Sequence, residues 1–279
     1  MTAPPPPERR PRDPRFATGP ARKRPGWTPD ALSHATLGRS HRCPAARDKL
    51  RAVAERSRHL LGIPEHYAIA VLPGSDTGAV EAAMWNLLGA RGVDVLAWDG
   101  FGRDWLHDIR HELALSDARA VEAPDGELPD LRQVAADRDV VLPWVGTTTG
   151  VMVPDDAWLD GEREGLVLCD ATSAAFAVPL PWGKLDAVTW SWQKVLGGEA
   201  QHGMLALSPR AIERLRAHTP PWPVPKLFRL TGDEGVRASV FDGAPINTPS
   251  MLCVEDALDG LAWAEGLGGA PVLHERARD

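Results

Sequence analysis

Lys194 stands in the run Ser191-Trp192-Gln193-Lys194-Val195-Leu196-Gly197-Gly198, one cation among apolar and small residues. It follows a strand-like stretch, 185–190, and precedes two glycines. A lysine at the end of a buried strand loses hydration, so its pKa falls and its amine becomes nucleophilic. Such an amine is suited to a Schiff base with a carbonyl compound. A lysine taken at random is far more often a solvated surface residue. What distinguishes this one lies upstream. Residues 165–170 form an apolar strand ending in Asp170, followed by Ala171-Thr172-Ser173-Ala174-Ala175. A strand-end carboxylate and a later strand-end lysine are the pair a pyridoxal phosphate site requires. One holds the pyridinium nitrogen and the other the aldehyde.

The elements that must position this pair alternate along the chain. Apolar runs at 68–72, 93–98, 118–121, 139–145, 165–170, 185–190 and 203–207 predict strands. Helices are expected at 47–61, 79–88, from Asp99-Gly100-Phe101-Gly102 through Leu113, at 209–218 and at 251–265, with a further helix start at Thr28-Pro29-Asp30. Strands alternating with helices throughout imply an α/β fold: a mostly parallel sheet covered by helices on both faces. Ligands in such sheets sit at the carboxyl ends of strands. Asp76, Thr77, Phe101, Thr147, Asp170 and Lys194 all fall at such ends. Pro73-Gly74-Ser75-Asp76-Thr77-Gly78 joins a strand to a helix and suits phosphate held at a helix N-terminus, although it lacks the Gly-Lys-Ser/Thr of a Walker loop. His41 and Arg42, in a loop before a helix, could clamp an anion. His107 and His111 have helical metal-ligand spacing. The acidic and basic residues around them read as a solvated face, and no metal site is expected.

The chain has 279 residues, 43% of them hydrophobic, and a net charge of −7. The acidic balance argues against general nucleic-acid binding. Cys43, Cys169 and Cys253 are widely spaced and fit a reducing, cytoplasmic setting. No apolar run is long enough to span a membrane. Residues 1–15 are rich in proline and arginine and are expected to form a disordered arm.

Six motifs then occur in an order that resembles phosphoserine aminotransferase. They are Ser40-His41-Arg42, Gly74-Ser75-Asp76-Thr77-Gly78, Trp144-Val145-Gly146-Thr147-Thr148-Thr149-Gly150, Cys169-Asp170-Ala171-Thr172-Ser173, Ser191-Trp192-Gln193-Lys194 and Asn247-Thr248-Pro249. The likeness runs from about Phe16 to the C-terminus and leans toward the actinobacterial and alphaproteobacterial branch. It implies the fold-type-I aminotransferase large domain, pyridoxal 5'-phosphate as cofactor, and a homodimer with shared active sites. By the same resemblance, Lys194 would bind the cofactor aldehyde and shuttle the substrate proton, and Asp170 would pair with the ring N–H. Thr147 would bond the phenolic oxygen. Phe101 would stack on the ring, a task Trp105 could share. Asp76 and Thr77, with Gln193, would hold the phosphate. Asn247 and Thr248 would reach the phosphate in the partner subunit, and His41 with Arg42 would bind the anionic substrate.

The expected activity is transfer of the amino group from L-glutamate to 3-phosphohydroxypyruvate, giving 2-oxoglutarate and O-phospho-L-serine, in serine and vitamin B6 biosynthesis. Another fold-type-I activity, such as an alanine–glyoxylate aminotransferase or a desulfurase, stays open at this stage. So does a cofactor-binding product without turnover. The domain expectation is an arm at 1–15, a cofactor-binding domain at 16–265, and at 266–279 the start of a C-terminal small domain cut short. Two departures from the family pattern stand out. Val145 replaces a common asparagine, and Asp76 places a carboxylate beside a phosphate, which requires its side chain to point away.

Overall fold

A computed structural model describes residues 19–159 and 161–278, so the expected arm lies outside the described residues. Seven apolar runs form one sheet: β1 (Ala68–Pro73), β2 (Val93–Ala97), β3 (Ala118–Glu122), β4 (Asp139–Pro143), β5 (Val167–Asp170), β6 (Ala187–Ser191) and β7 (His202–Leu207). Their spatial order is β1-β7-β6-β5-β4-β2-β3. β7 runs antiparallel to both neighbours, β1 and β6. The other pairs are parallel. This is the mostly parallel sheet that the apolar runs implied. Six of them carry residues buried on both sides, as strands between two helical layers must, while the edge strand β3 buries only Val121.

Alternate residues of each strand enter opposite cores. Ile69, Val71, Leu96, Trp98, Leu142, Val188 and Trp190 pack with α1 (Pro44–Leu61), α5 (Met251–Gly266) and α6 (Ala270–Arg278). Ala70, Leu72, Val95, Val141, Leu168 and Leu205 pack on the other face with α2 (Ser75–Leu87), α3 (Gly100–His107) and α4 (Pro209–Ala217). Helix starts carry local caps: Asp99 accepts from Gly102 N at α3, Ser208 from Ala211 N at α4, and Ser250 from Cys253 N at α5.

Four details differ from expectation. Strands and helices do not alternate throughout. The links after β4 and β5 hold turns and one short 3-10 helix, Trp182–Lys184. The Thr28-Pro29 start yields a single 3-10 turn, Pro29–Leu32. A π-helical turn, Asp108–Glu112, extends α3. A small antiparallel hairpin, Thr231–Gly232 with Gly235–Val236, is also present.

The amino ends of the strands are closed by buried aspartates paired with arginines. Asp94 accepts from Arg119 and Arg138, Asp139 from Arg214, and Asp186 from Arg210. The carboxyl ends lie on the opposite edge and stay open.

Candidate active site

A cavity of about 510 Å³ opens at the carboxyl ends of the strands. Ser75, Asp76, Thr77, Phe101, Trp105, Thr147, Asp170, Gln193 and Lys194 line it, together with Gly19, Thr148 and Thr172. Seven expected site residues, Asp76, Thr77, Phe101, Thr147, Asp170, Gln193 and Lys194, are therefore brought together.

Lys194 projects from the 192–201 link between β6 and β7. Burial lowers its pKa, while the charges of Asp170, Asp76 and Asp99 oppose that shift. Lys194 is thus a half-buried amine of reduced basicity. Asp170 ends β5 and is buried. Its Oδ1 accepts from Thr172 N at 3.1 Å and its Oδ2 from Trp105 Nε1 at 3.2 Å. Burial raises its pKa, and these two bonds, with one from Asp76, work against the rise.

Trp105 is 3% exposed and committed to Asp170, whereas Phe101 is 40% exposed at the cavity rim. Their rings are tilted, with centroids 6.5 Å apart. Phe101 thus presents its ring at the cavity rim, and Trp105 holds the carboxylate. Thr147 Oγ1 shares a hydrogen bond of 2.8 Å with Ser173 Oγ.

The phosphate-type turn is part of α2 itself, which starts at Ser75 rather than near residue 79. Ser75 has φ 57°, a left-handed conformation unusual for serine, directly after Gly74 at 87°. The N–H groups of Asp76 and Thr77 belong to the first helical turn, which has no intrahelical acceptors. Two glycines let this turn sit where it does. A Cβ on Gly78 would lie 2.1 Å from Pro73 O, and one on Gly203 would lie 2.1 Å from Ser75 O. The Asp76 side chain does not extend into solvent at the helix start. It turns inward and is 5% exposed, beside Asp170.

Four expected residues do not line this cavity. His41 and Arg42 lie in the loop before α1, where Arg42 N donates to Ser40 Oγ at 3.2 Å. Asn247 Nδ2 donates to Thr248 O at 3.3 Å, and Thr248 is exposed. His107 and His111 are neighbours, and among the described residues no cluster of side chains could hold a metal ion.

Sequence reasoning missed three contributors. Gly19 reaches the cavity because Ala21 N donates to Gln193 O at 2.6 Å, tying the 19–24 segment over the Lys194 link. Thr172 holds both Asp170, through its N–H, and Ser191 N, through its hydroxyl. His202, in β7, accepts from Ser250 N at 3.2 Å and so tethers the turn that opens α5. The Thr172–Asp170 contact was signalled by the Asp-x-Thr spacing; the Thr172–Ser191 contact and the other two contributors arise from tertiary packing.

No protein-family model matches the chain. The phosphoserine aminotransferase of Methanosarcina mazei is 50% identical over 273 residues, covering 98% of this chain and 74% of its own length. The chain belongs to the phosphoserine aminotransferase family. The Methanosarcina barkeri enzyme matches it equally well, at 50% over the same shares. A Mycobacterium relative (strain KMS), provisionally given the same activity, is 28% identical over 98% of this chain and 73% of its own length. The expected actinobacterial leaning is therefore corrected: archaeal members of the family are far more similar.

Solved structures agree on architecture. A subgroup IV aspartate aminotransferase from Thermus thermophilus superposes with a TM-score of 0.76 at 26% identity, over 94% of this chain and 72% of its own. A pyridoxal phosphate-bound phosphoserine aminotransferase from Trichomonas vaginalis gives 0.76 at 20%, over 93% and 73%. The seven-stranded sheet is thus the fold-type-I aminotransferase fold, as in other family members.

Proposed function

We propose that the chain transfers the amino group of L-glutamate to 3-phosphohydroxypyruvate, with pyridoxal 5'-phosphate bound in the cavity. The observation that carries this reading is the meeting of a half-buried Lys194 and a buried Asp170 in one cavity, beside the N-terminus of α2. The residues present fit the cofactor by the chemistry of their donors. First-turn N–H groups of α2 and the Thr77 hydroxyl suit its phosphate. Asp170 suits a cationic ring nitrogen, Phe101 a ring face, and Thr147 a phenolic oxygen. Gln193 Oε1 is buried in the wall with no hydrogen-bond partner among the described residues, so the cavity offers polar capacity that its own side chains do not use.

Bound pyridoxal phosphate supplies the carbonyl that receives the amino group and the ring that accepts the Cα electron pair. The chain's residues do the rest. Lys194 Nζ, its basicity lowered by burial, would accept the proton from the substrate Cα. Asp170 would pair with the ring nitrogen and favour its protonated form. Trp105 and Thr172 hold Asp170.

In this reading a second copy of the chain supplies Asn247 and Thr248 to the phosphate, since neither lines the cavity of its own chain. His41 and Arg42 recognise the phosphate or carboxylate of the substrate. The absence of any cysteine among the cavity-lining residues argues against the desulfurase alternative. The test is a substrate panel on purified protein with added cofactor. Phosphoserine with 2-oxoglutarate should be turned over at least tenfold faster than alanine with glyoxylate. The reverse preference would refute the assignment.

A further inference from the structure

Asp76 occupies the first turn of α2, a place where carboxylates usually face solvent or cap the helix. Here it does neither. It is 5% exposed, and its carboxyl lies in hydrogen-bond contact with that of Asp170, itself 8% exposed. Asp76 Oδ1 is buried and has no hydrogen-bond partner among the described residues. Two carboxyl groups in such contact cannot both be ionised; one proton must lie between them.

Which group keeps the proton follows from their other partners. Asp170 accepts the N–H of Thr172 and the indole N–H of Trp105, donors that favour its charged form. No such donor serves Asp76 Oδ1. Burial first, and then the charge of Asp170, push the Asp76 carboxyl well above the ordinary carboxylate range. The Thr189 hydroxyl and the charge of Lys194 oppose that rise without reversing it, Asp99 pushes Asp170 upward, and the buried Cys169 thiol is itself held well above its ordinary range.

We infer that Asp76 is carried as the neutral acid and donates its proton in a hydrogen bond to Asp170, holding that carboxylate toward the cavity as a positioning residue. The inference deepens the proposed cofactor site, since Asp170 is the group that reading places on the ring nitrogen. The arrangement leaves the Asp76–Asp170 pair with one negative charge instead of two. It also leaves the first turn of α2 without a charge on the Asp76 side chain itself.

The test begins with the electrophoretic mobility of cofactor-free protein at pH 7. Asp76→Asn should migrate with the wild type, because a neutral group replaces a neutral group. Asp233→Asn, at an exposed position, should shift by one charge and calibrates the scale. If Asp76→Asn shifts by that same increment, Asp76 is ionised and the inference fails. A titration with pyridoxal phosphate follows. Asp76→Asn keeps a donor to Asp170 and Asp76→Leu does not, so the leucine variant should bind at least tenfold more weakly than the asparagine variant. Equal affinities would overturn the bracing role. Should the leucine variant not fold, Asp76→Ala, which likewise lacks a donor, takes its place in the titration. Because that comparison uses cofactor-free protein, a wild type that takes up no pyridoxal phosphate counts against the functional reading alone.

Discussion

The indole nitrogen of Trp105 donates to Oδ2 of Asp170 across 3.2 Å, so the helix after β2 braces the carboxylate at the end of β5. Trp105→Phe keeps the buried ring and removes this donor. One hydrogen bond to a charged acceptor is worth roughly 1.5–3 kcal/mol, so cofactor affinity should fall by about tenfold or more. Phe101→Ala should instead weaken stacking while leaving Asp170 in place. Absorbance titrations of both variants measure this; an unaffected Trp105→Phe would show that the bond does not matter to binding.

Borohydride treatment of protein loaded with pyridoxal phosphate should fix the cofactor to Lys194, located by peptide mapping. The chain offers Lys184 and Lys226 as controls, since Lys184 is engaged with Asp156 and neither lines the cavity. Label on either of them would move the nucleophile elsewhere. Because burial lowers the Lys194 pKa, labelling should persist to lower pH than for a solvated lysine.

Asp170→Ala should weaken cofactor binding and cut transamination by several orders of magnitude, since the ring nitrogen then loses the partner that keeps it protonated. Asp170→Asn should be nearly as damaging despite its similar shape. Steady-state rates within tenfold of wild type in either variant would remove Asp170 from this role.

Gly203→Ala places a methyl group where Ser75 O now lies 2.1 Å from an ideal Cβ. The strand or the first turn of α2 must shift. Overpacking of this kind costs about 1–3 kcal/mol, and here it also displaces the N–H groups assigned to phosphate. Thermal melts should show the lost stability, and pyridoxal phosphate titration a reduced affinity. Gly161→Ala, with nothing within 4 Å, is the matched control and should change neither.

Burial lowers the His202 pKa to about 4. Below the ordinary histidine pKa of about 6.5 the unfolded chain takes up a proton that the folded chain refuses. Stability should therefore fall as pH drops from about 6.5 toward 4, by on the order of 3 kcal/mol from this residue. His202→Gln should flatten that segment of the stability profile in denaturant titrations. An unchanged slope would show that other groups dominate acid sensitivity.

The sheet was legible because each strand is an apolar run bounded by glycine, proline or charge, and runs such as 139–143 and 187–191 have no helical period to confuse them. The Asp170–Lys194 pair was legible for the same reason: both residues close such runs. The start of α2 was not. Ser75-Asp76-Thr77-Gly78 reads as a turn, and only the fit of Gly78 against Pro73 and of Gly203 against Ser75 lets helical geometry begin there. The inward direction of Asp76 was equally hidden, because side-chain direction in a first turn depends on what the neighbouring strand presents. Gly19 and His202 joined the site through contacts far apart in sequence, which no local pattern records.

Lys194 rides on a link between strands that are adjacent both in the chain and in the sheet, whereas Asp170 ends a strand whose two neighbours are parallel and reached by longer connections. Local antiparallel pairing closes a small loop and can form early; parallel pairing must wait for distant segments to meet. The lysine's setting can thus assemble before the carboxylate's. In the proposed site, capture of pyridoxal phosphate needs both, so the ligand would recognise only chains whose central strands have already aligned. The appearance of its bound absorbance during refolding would then time the last, slowest stage of assembly rather than the first collapse.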